Sequence, residues 1–451
     1  MTGRSRRNIV LSPDDLQLVE RDGDIPGLGT VLDTEALTKA LHANLPDAGV
    51  RTVEANYAHY KPHTSCLVAG RLVTADTELP FYAKAYGADG PVKLEKTRRL
   101  QDFPSPVGPG TLILEDANIG FYFFPVDHRL KGIRRLAYSD TRRSLLRGLL
   151  GKSHEFSDAT LRHLRYKPER RFVACLETPG GPRSLLKFFT PERYKTAKSA
   201  AQAICSHDLP GMERTAYFSD RHNVMGFEWL PGCLLSQSIL APDIPEQDKA
   251  SAVELTGAAL AELHSCKANT LTKQRRADEI RRLDAQAVTI RHLCPVLGEQ
   301  AEQLCRKIVS SLEDTSEERT LLHGDFYDKQ VLFSDGTPVI LDLDEARLGH
   351  PAIDLGLFLA HLERHRLNHR LSSHEAGVLE DALVRGYQLV RPAPAQAAIR
   401  LYTAIGLLHL AAEPFRYRDS NWREKIRSQL SHVDAILERN SALRPLRRAI
   451  V

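Results

Sequence analysis

The chain lacks a long apolar run, a marked net charge and any paired-cysteine motif, and each lack removes a class of protein. No hydrophobic stretch approaches the roughly 20 residues that a membrane-crossing helix needs. The basic start, Met1 to Arg7, is not followed by the apolar core of a secretory leader. Basic residues number 61 and acidic residues 57, a net charge of +4. That balance gives no overall pull toward nucleic acid or a membrane surface. The seven cysteines, at positions 66, 175, 205, 233, 266, 294 and 305, are odd in number and never form Cys-x-x-Cys. A zinc ribbon and a disulfide framework are therefore not expected, and a reducing cytoplasm is. What remains is a globular composition, 42% hydrophobic and 26% charged, which argues against wholesale disorder. At 451 residues the chain suits two or three lobes.

An internal duplication organises the first half. Tyr60-Lys61-Pro62 recurs 106 residues later as Tyr166-Lys167-Pro168. Gly120-Phe121-Tyr122-Phe123-Phe124-Pro125 recurs at the same offset as Gly226-Phe227-Glu228-Trp229-Leu230-Pro231. Between them, the strand around Lys84 parallels the strand around Lys187. Three markers in one order at nearly one offset read as two copies of one antiparallel unit, each with a strand lysine. A lysine in an apolar strand is costly to bury unless a charge pairs with it. A basic stretch from Arg129 to Lys152, with Arg134, Arg135, Arg142, Arg143 and Arg147, reads as a helical connector with a solvated face, without the interleaved aromatics of base stacking. After Gly232, apolar residues at three- and four-residue spacing predict helices over 246–263, 276–293, 301–312, 373–390, 395–410 and 421–437.

One block concentrates the chemistry. Leu322-His323-Gly324-Asp325 leads through Gln330 into the apolar run Val331-Leu332-Phe333. Ser334-Asp335-Gly336-Thr337 is a turn signal, and Val339-Ile340-Leu341 a second apolar run, ending in Asp342-Leu343-Asp344. The hairpin so formed returns Gln330 opposite Leu341 or Asp342. Two hard oxygen donors then converge, as magnesium requires, with a third acid, Asp325, just before the hairpin. Asp325 precedes Gln330 by five positions, the spacing between the base and the metal-binding amide of a kinase catalytic loop. The layout suits phosphoryl transfer, with one carboxylate for a hydroxyl and an amide and a carboxylate for magnesium on ATP.

The same residues resemble the aminoglycoside phosphotransferase and choline kinase group, the small-molecule branch of the protein-kinase-like fold. The His323-Gly324-Asp325 loop, the hydrophobic-Asp motif at Asp342 and Gly349-His350-Pro351-Ala352-Ile353-Asp354 carry that resemblance, over roughly residues 155–440. It implies Asp325 as catalytic base, Asp342 and Gln330 as metal ligands, His323 as organiser of the loop and Asp354 as a buried carboxylate pinning it. Gln330 departs from the usual Asn. Val224 to Gly232 looks like the strand and hinge that bind adenine, through the backbone of Glu228, Trp229 and Leu230. Leu260-Ala261-Glu262-Leu263-His264 resembles the first long helix of the large lobe. Lys187, in the copy that runs into the large lobe, is the candidate phosphate-contacting lysine. No helix glutamate is evident to orient it, since the stretch after it reads Tyr194-Lys195-Thr196-Ala197-Lys198. Arg170 and Arg171 are read either as further phosphate contacts or as surface charge.

The expected architecture is α+β: a bilobal protein-kinase-like fold with an extra small-lobe-like domain in front. The expected divisions are a cap over 1–130, a basic helical linker over 131–158, the kinase small lobe over 159–231 and the helical large lobe over 232–451. The cap has no large lobe of its own and should pack on the second copy. Glu413, Arg416, Tyr417, Arg418, Asp419 and Trp422 are candidates for the acceptor wall. The expected activity is ATP- and magnesium-dependent phosphorylation of a hydroxyl on a small metabolite: a sugar, an amino alcohol or an aminoglycoside-like compound. A nucleotide-binding pseudokinase is the rival that Gln330 and the missing glutamate suggest. A metal-dependent hydrolase using His323 and Asp325 is a second.

Overall fold

The computed structural model describes residues 11–150, 159–205, 211–268, 271–313, 315 and 318–442. The N-terminal half holds two five-stranded antiparallel sheets. The first is built from β1 (Val50–Lys61), β2 (Ser65–Thr74), β3 (Glu78–Tyr86), β4 (Thr111–Leu114) and β5 (Ile119–Phe123). The second is built from β6 (Thr160–Lys167), β7 (Arg171–Thr178), β8 (Gly181–Phe189), β9 (Thr215–Ser219) and β10 (Val224–Glu228). Both sheets have the same order, with the fifth strand between the third and the fourth. A helix follows the third strand in each, Gly90–Arg98 and Pro191–Cys205.

The duplication extends to register. Lys84 lies opposite Leu67, and Lys187 lies opposite Val173, the residue 106 positions after Leu67. The two strand lysines therefore hold equivalent places. The glycine-phenylalanine marker does not align as simply. Gly120 faces Lys84, whereas Met225, not Gly226, faces Lys187, so this marker is out of register by one residue.

The turn between the first two strands is built alike in both copies. His63 (φ 57°) and Glu169 (φ 58°) both take a left-handed backbone. In the first copy, Asp22 Oδ2 accepts from Tyr60 Oη (2.6 Å) and the His63 N–H (3.0 Å). In the second, Asp127 Oδ2 accepts from Tyr166 Oη (2.7 Å) and the Glu169 N–H (2.8 Å). Each unit therefore starts with an aspartate that ties down its own first turn, upstream of the markers visible in sequence.

The basic connector is helical over Ser139–Leu150, and residues 151–158 lie outside the described residues. It does more than connect. Leu145, Leu146 and Leu149 are buried in one cluster with Phe172, Leu186, Phe188 and Val224 of the second sheet. Arg142, Arg143 and Arg147 face outward, as a solvated helix face requires.

The large lobe contains helices over Glu246–Ser265, Arg276–Leu293, Gly298–Glu313, Ser373–Gln388, Gln396–Leu410 and Trp422–Ala442, within a few residues of the periodic segments. A further helix, Ala352–Leu367, was not marked by periodicity. It is apolar around most of its circumference and lies in the middle of the lobe, with Leu355, Phe358, Leu359 and Leu362 buried. A helix buried on all sides shows no amphipathic stripe. Among the described residues no helix is long and apolar enough to cross a membrane.

The first lobe packs on the large lobe as well as on the second copy. Tyr60 meets Phe415 edge-on at 6.2 Å, and Phe415 meets Trp422 at 5.4 Å. Arg418 donates from both terminal nitrogens to the two Asp15 oxygens, each at 3.0 Å, and Trp422 Nε1 donates to Asp15 Oδ1. Asp15 also closes the capping box of helix Pro13–Arg21. Arg418 and Trp422, candidates for the acceptor wall, are buried fasteners of the first lobe instead. Removing one member of a buried ion pair leaves the other charge without a partner. Asp15→Ala is therefore expected to destabilise the protein by about 3–5 kcal/mol. Arg71→Ala, which breaks only the exposed Arg71–Glu78 pair, should cost less than about 1 kcal/mol. Urea unfolding of the two variants side by side checks both.

Candidate active site

The site is assembled by a short hairpin. β11 (Cys233–Leu234) and β12 (Thr320–Leu322) precede it, and its strands are β13 (Val331–Ser334) and β14 (Thr337–Ile340). Asp335 (φ 50°) and Gly336 (φ 76°) form the two-residue turn, both left-handed, which is the type I′ reversal that an Asp-Gly pair favours. Val331 pairs with Ile340, and the Leu341 N–H donates to the Gln330 carbonyl at 2.8 Å. Gln330 and Asp342 consequently come together at the open end. Gln330 is buried, and its side-chain amide makes no hydrogen bond to the described residues.

The loop before the hairpin is held from beneath. Asp354 accepts from the His323 N–H (2.6 Å) and the Gly324 N–H (2.9 Å), and it contacts His264 Nε2 at 3.1 Å. Burial opposes the Asp354 charge, but the His264 contact and the other hydrogen bonds hold its carboxyl below the usual range. Burial lowers the His323 imidazole below its ordinary value. Its Nε2–H donates to the Leu341 carbonyl (2.7 Å), and its Nδ1 accepts from the Asp325 N–H (3.2 Å). One ring thus ties the loop to the hairpin exit. Gly324 (φ 86°) leaves no room for a Cβ, which would meet the Glu345 carbonyl at 2.4 Å.

Asp325 ends this loop as an exposed residue. Desolvation by the surrounding protein and the charges of Glu345 and then Asp342 push its carboxyl up to about 7, with Lys167 pulling the other way. Lys167, half-buried at the end of β6, is itself lowered to about 8 by burial and by Arg165, Arg171 and Arg170.

Lys187 is 3% exposed. Its Nζ donates to Glu213 Oε2 (3.0 Å) and Asp342 Oδ1 (3.2 Å), lies 3.5 Å from Asp344 Oδ1 and stands 4.2 Å over the Phe227 ring. Burial works against the ammonium, but Asp342, Asp344 and Glu213 together hold it above its ordinary value. The acid that sequence reasoning could not find is Glu213. It comes from the segment after the helix rather than from the helix. That segment lies alongside the hairpin: the Ile340 N–H donates to Gly211 (2.8 Å) and the Glu213 N–H to Ile340 (2.9 Å). Glu213 Oε2 also accepts from the N–H of Asp342 (3.0 Å), whose backbone is left-handed (φ 64°). No spacing rule connects residues 187 and 213, because the large-lobe hairpin brings them together.

Arg171 does not face outward. One guanidinium nitrogen reaches Asp342 Oδ1 (2.5 Å) and Asp344 Oδ2 (2.6 Å). Against the cost of burial, Lys187 and then Arg171 keep the Asp342 carboxyl well below the usual range. Burial and the neighbouring Asp342 charge push Asp344 up to about 7, with Lys187 opposing. Three carboxylates, Glu213, Asp342 and Asp344, thus face two cations. Asp342, with Gln330 at the paired end of the hairpin, offers the oxygen donor types that a hard divalent cation takes.

The expected hinge links β10 to β11. The Glu228 N–H donates to the Arg214 carbonyl (3.2 Å) and the Trp229 N–H to the Arg183 carbonyl (3.3 Å). The Leu230 N–H has no such partner among the described residues. Gly232 (φ 151°) lets the chain pass the hairpin, where a Cβ would lie 2.2 Å from the Phe333 carbonyl. In the first copy the equivalent lysine is engaged elsewhere. Lys84 Nζ contacts both carboxylate oxygens of Glu169, at 2.9 and 2.8 Å.

Comparison with known proteins identifies the family. The family described as the phosphotransferase enzyme family matches residues 167–402, so the matched part starts at the second sheet. The chain belongs to that family. No curated protein matches the chain. Among solved structures, a candidate aminoglycoside phosphotransferase from Ralstonia eutropha is 12% identical with a TM-score of 0.50, the match covering 66% of this chain and 98% of that one. The choline kinase LicA from Streptococcus pneumoniae is 13% identical over the same shares, with a TM-score of 0.48. A choline/ethanolamine kinase family protein from Mesorhizobium loti is 13% identical, covering 66% and 95%, with a TM-score of 0.47. At 12% identity the likeness to the Ralstonia protein bears on the fold alone.

The loop anchor can be tested apart from any activity. Asp354→Ala leaves two backbone N–H groups and His264 without their acceptor. The expected cost is about 2–4 kcal/mol in urea unfolding, with faster amide exchange at Gly324 and Asp325. Unchanged exchange there would show that Asp354 does not hold the loop.

Proposed function

We propose that the chain transfers the γ-phosphoryl group of ATP to a hydroxyl of a small metabolite. The observation that carries this reading is the meeting of Lys187 with both Glu213 and Asp342, on the hairpin that Asp325 precedes. Asp325 orients the acceptor hydroxyl and takes its proton as the oxygen bonds to the γ-phosphorus and the bond to ADP breaks. Lys187 meets the phosphates while Glu213 holds it in place. Asp342 and Gln330, with Asp344 beside them, are the residues that would hold magnesium. A magnesium ion held there would supply positive charge to screen the transferring phosphates. The free N–H of Leu230, on the segment that also includes Glu228 and Trp229, is the backbone donor for adenine. Arg171 steadies the acids and is not assigned to phosphate. The first copy lacks this junction, since Lys84 pairs with Glu169 of the second sheet and not with acids of a large lobe.

The pseudokinase reading rested on two departures. Glu213 supplies the lysine's partner and removes one of them; Gln330 remains. A turnover assay on a hydroxyl-compound panel separates the readings. Asp325→Asn should lower kcat by about 100-fold or more and leave ATP affinity nearly unchanged. Full turnover in that variant would refute the role of Asp325. The pH dependence gives an independent check. A base raised to about 7 is ionised only above that pH, so kcat/KM should rise through neutrality. Glu345→Gln removes a charge that raises Asp325, so the acid limb should move to lower pH. A limb that stays in place would exclude Asp325 as the titrating group.

A further inference from the structure

Beside the catalytic loop lies a cavity of about 880 Å³. It reaches Tyr327, two residues beyond Asp325, and Tyr327 stacks on His361 with centroids 4.2 Å apart, forming a flat wall. The charges around it are unequally matched. Its acids have partners: Glu413 pairs with Arg364 at 2.5 Å, Asp419 with Lys425 at 3.0 Å and Asp328 with His365 at 3.0 Å. Arg165 of β6, Lys329 of the loop and Arg370 beyond helix Ala352–Leu367 line the same cavity and form no ion pair among the described residues.

These cations are near one another. Burial lowers the Lys329 ammonium, Asp328 opposes the shift, and Arg165, Arg370 and Arg364 add to it. Like charges facing one space are unfavourable until an anion joins them. Asp328, 1% exposed, also lines the cavity, and its Oδ1 has no hydrogen-bond partner. A carboxylate oxygen in that state suits a ligand hydroxyl.

Building on the kinase reading above, we propose that this cavity is the acceptor site and that it takes a small polyhydroxylated anion, a sugar bearing a carboxylate or a phosphate ester. Arg165, Lys329 and Arg370 meet the anionic group, and Asp328 accepts from a hydroxyl. The ligand's reacting hydroxyl then points past Tyr327 toward Asp325.

The test compares kcat/KM at saturating ATP and magnesium for matched acceptors: hexose phosphates, uronic and aldonic acids, the neutral parent sugars, and amino sugars with amino alcohols. At least one anionic series should exceed its neutral parents about tenfold or more, and the better of the two identifies the group as phosphate or carboxylate. Arg165→Ala and Arg370→Ala, both exposed positions, should each raise the acceptor KM about tenfold, the weight of one charge-assisted contact. The KM for ATP should stay as it is. Preference for neutral or cationic acceptors would overturn the proposal and leave the kinase reading intact. If no acceptor turns over, the kinase reading fails, and binding decides the site alone. Citrate and inorganic phosphate are then titrated calorimetrically into protein saturated with a non-hydrolysable ATP analogue. Binding that weakens about tenfold in the double variant Arg165→Ala/Arg370→Ala supports the anion site. No binding, or equal binding in both proteins, overturns it.

Discussion

A buried ammonium must have counter-charge, and the way Lys187 obtains it determines how the lobes meet. Neither the strand that carries it nor the helix that follows supplies an acid. Glu213 arrives on a segment laid along the hairpin, and Asp342 arrives from the hairpin's exit. The second sheet and the large lobe therefore join at a point of high charge density rather than across a plain apolar face. Truncating either side would leave charge buried without a partner, which is far more costly than losing a surface ion pair. Arg171 reinforces the junction by touching both acids of the Asp342-Leu343-Asp344 run.

The duplicated unit shows how one piece of structure can be put to two uses. Both copies keep the same strand order, the same aspartate-tied turn and the same strand lysine. In the second copy the lysine meets acids of the large lobe. In the first it meets Glu169, on the tied turn of its neighbour. The turn therefore has two anchors from the first half of the chain: Asp127, which holds its tyrosine and a backbone N–H, and Lys84, which holds its glutamate.

Much of this was legible in the sequence because the decisive features are local. The Asp335-Gly336 turn fixes the hairpin, the hairpin sets Gln330 opposite Leu341 next to Asp342, and the spacing around His323 fixes the loop. The duplication showed in short aromatic markers, although one of them slid by a residue, since a β-strand tolerates a shift that a turn does not. What stayed hidden is tertiary. Glu213 has no sequence relation to Lys187. Arg171 reads like a surface strand residue until the acids opposite it are known. Helix Ala352–Leu367 carries no amphipathic signature because it has no wet face. Arg418 and Trp422 sit among polar neighbours, and only their contact with Asp15, some 400 positions away, reveals them as fasteners.

The paired attachments of the first lobe also constrain motion. A bilobal enzyme opens its cleft by turning about the single strap between lobes, here the run from Trp229 to Gly232. In this chain the first lobe is bolted to the C-terminal helices through Asp15 and Arg418, and to the second lobe through Lys84 and Glu169. The three bodies close into a ring. A ring cannot open at one joint alone: the contacts between the first two lobes, Lys84–Glu169, Phe124–Phe172 and Tyr166–Asp127 among them, or those of the first lobe on the helices, must give as well. The extra lobe thus turns a hinged clamp into a braced frame, fastened at contacts remote from the strap.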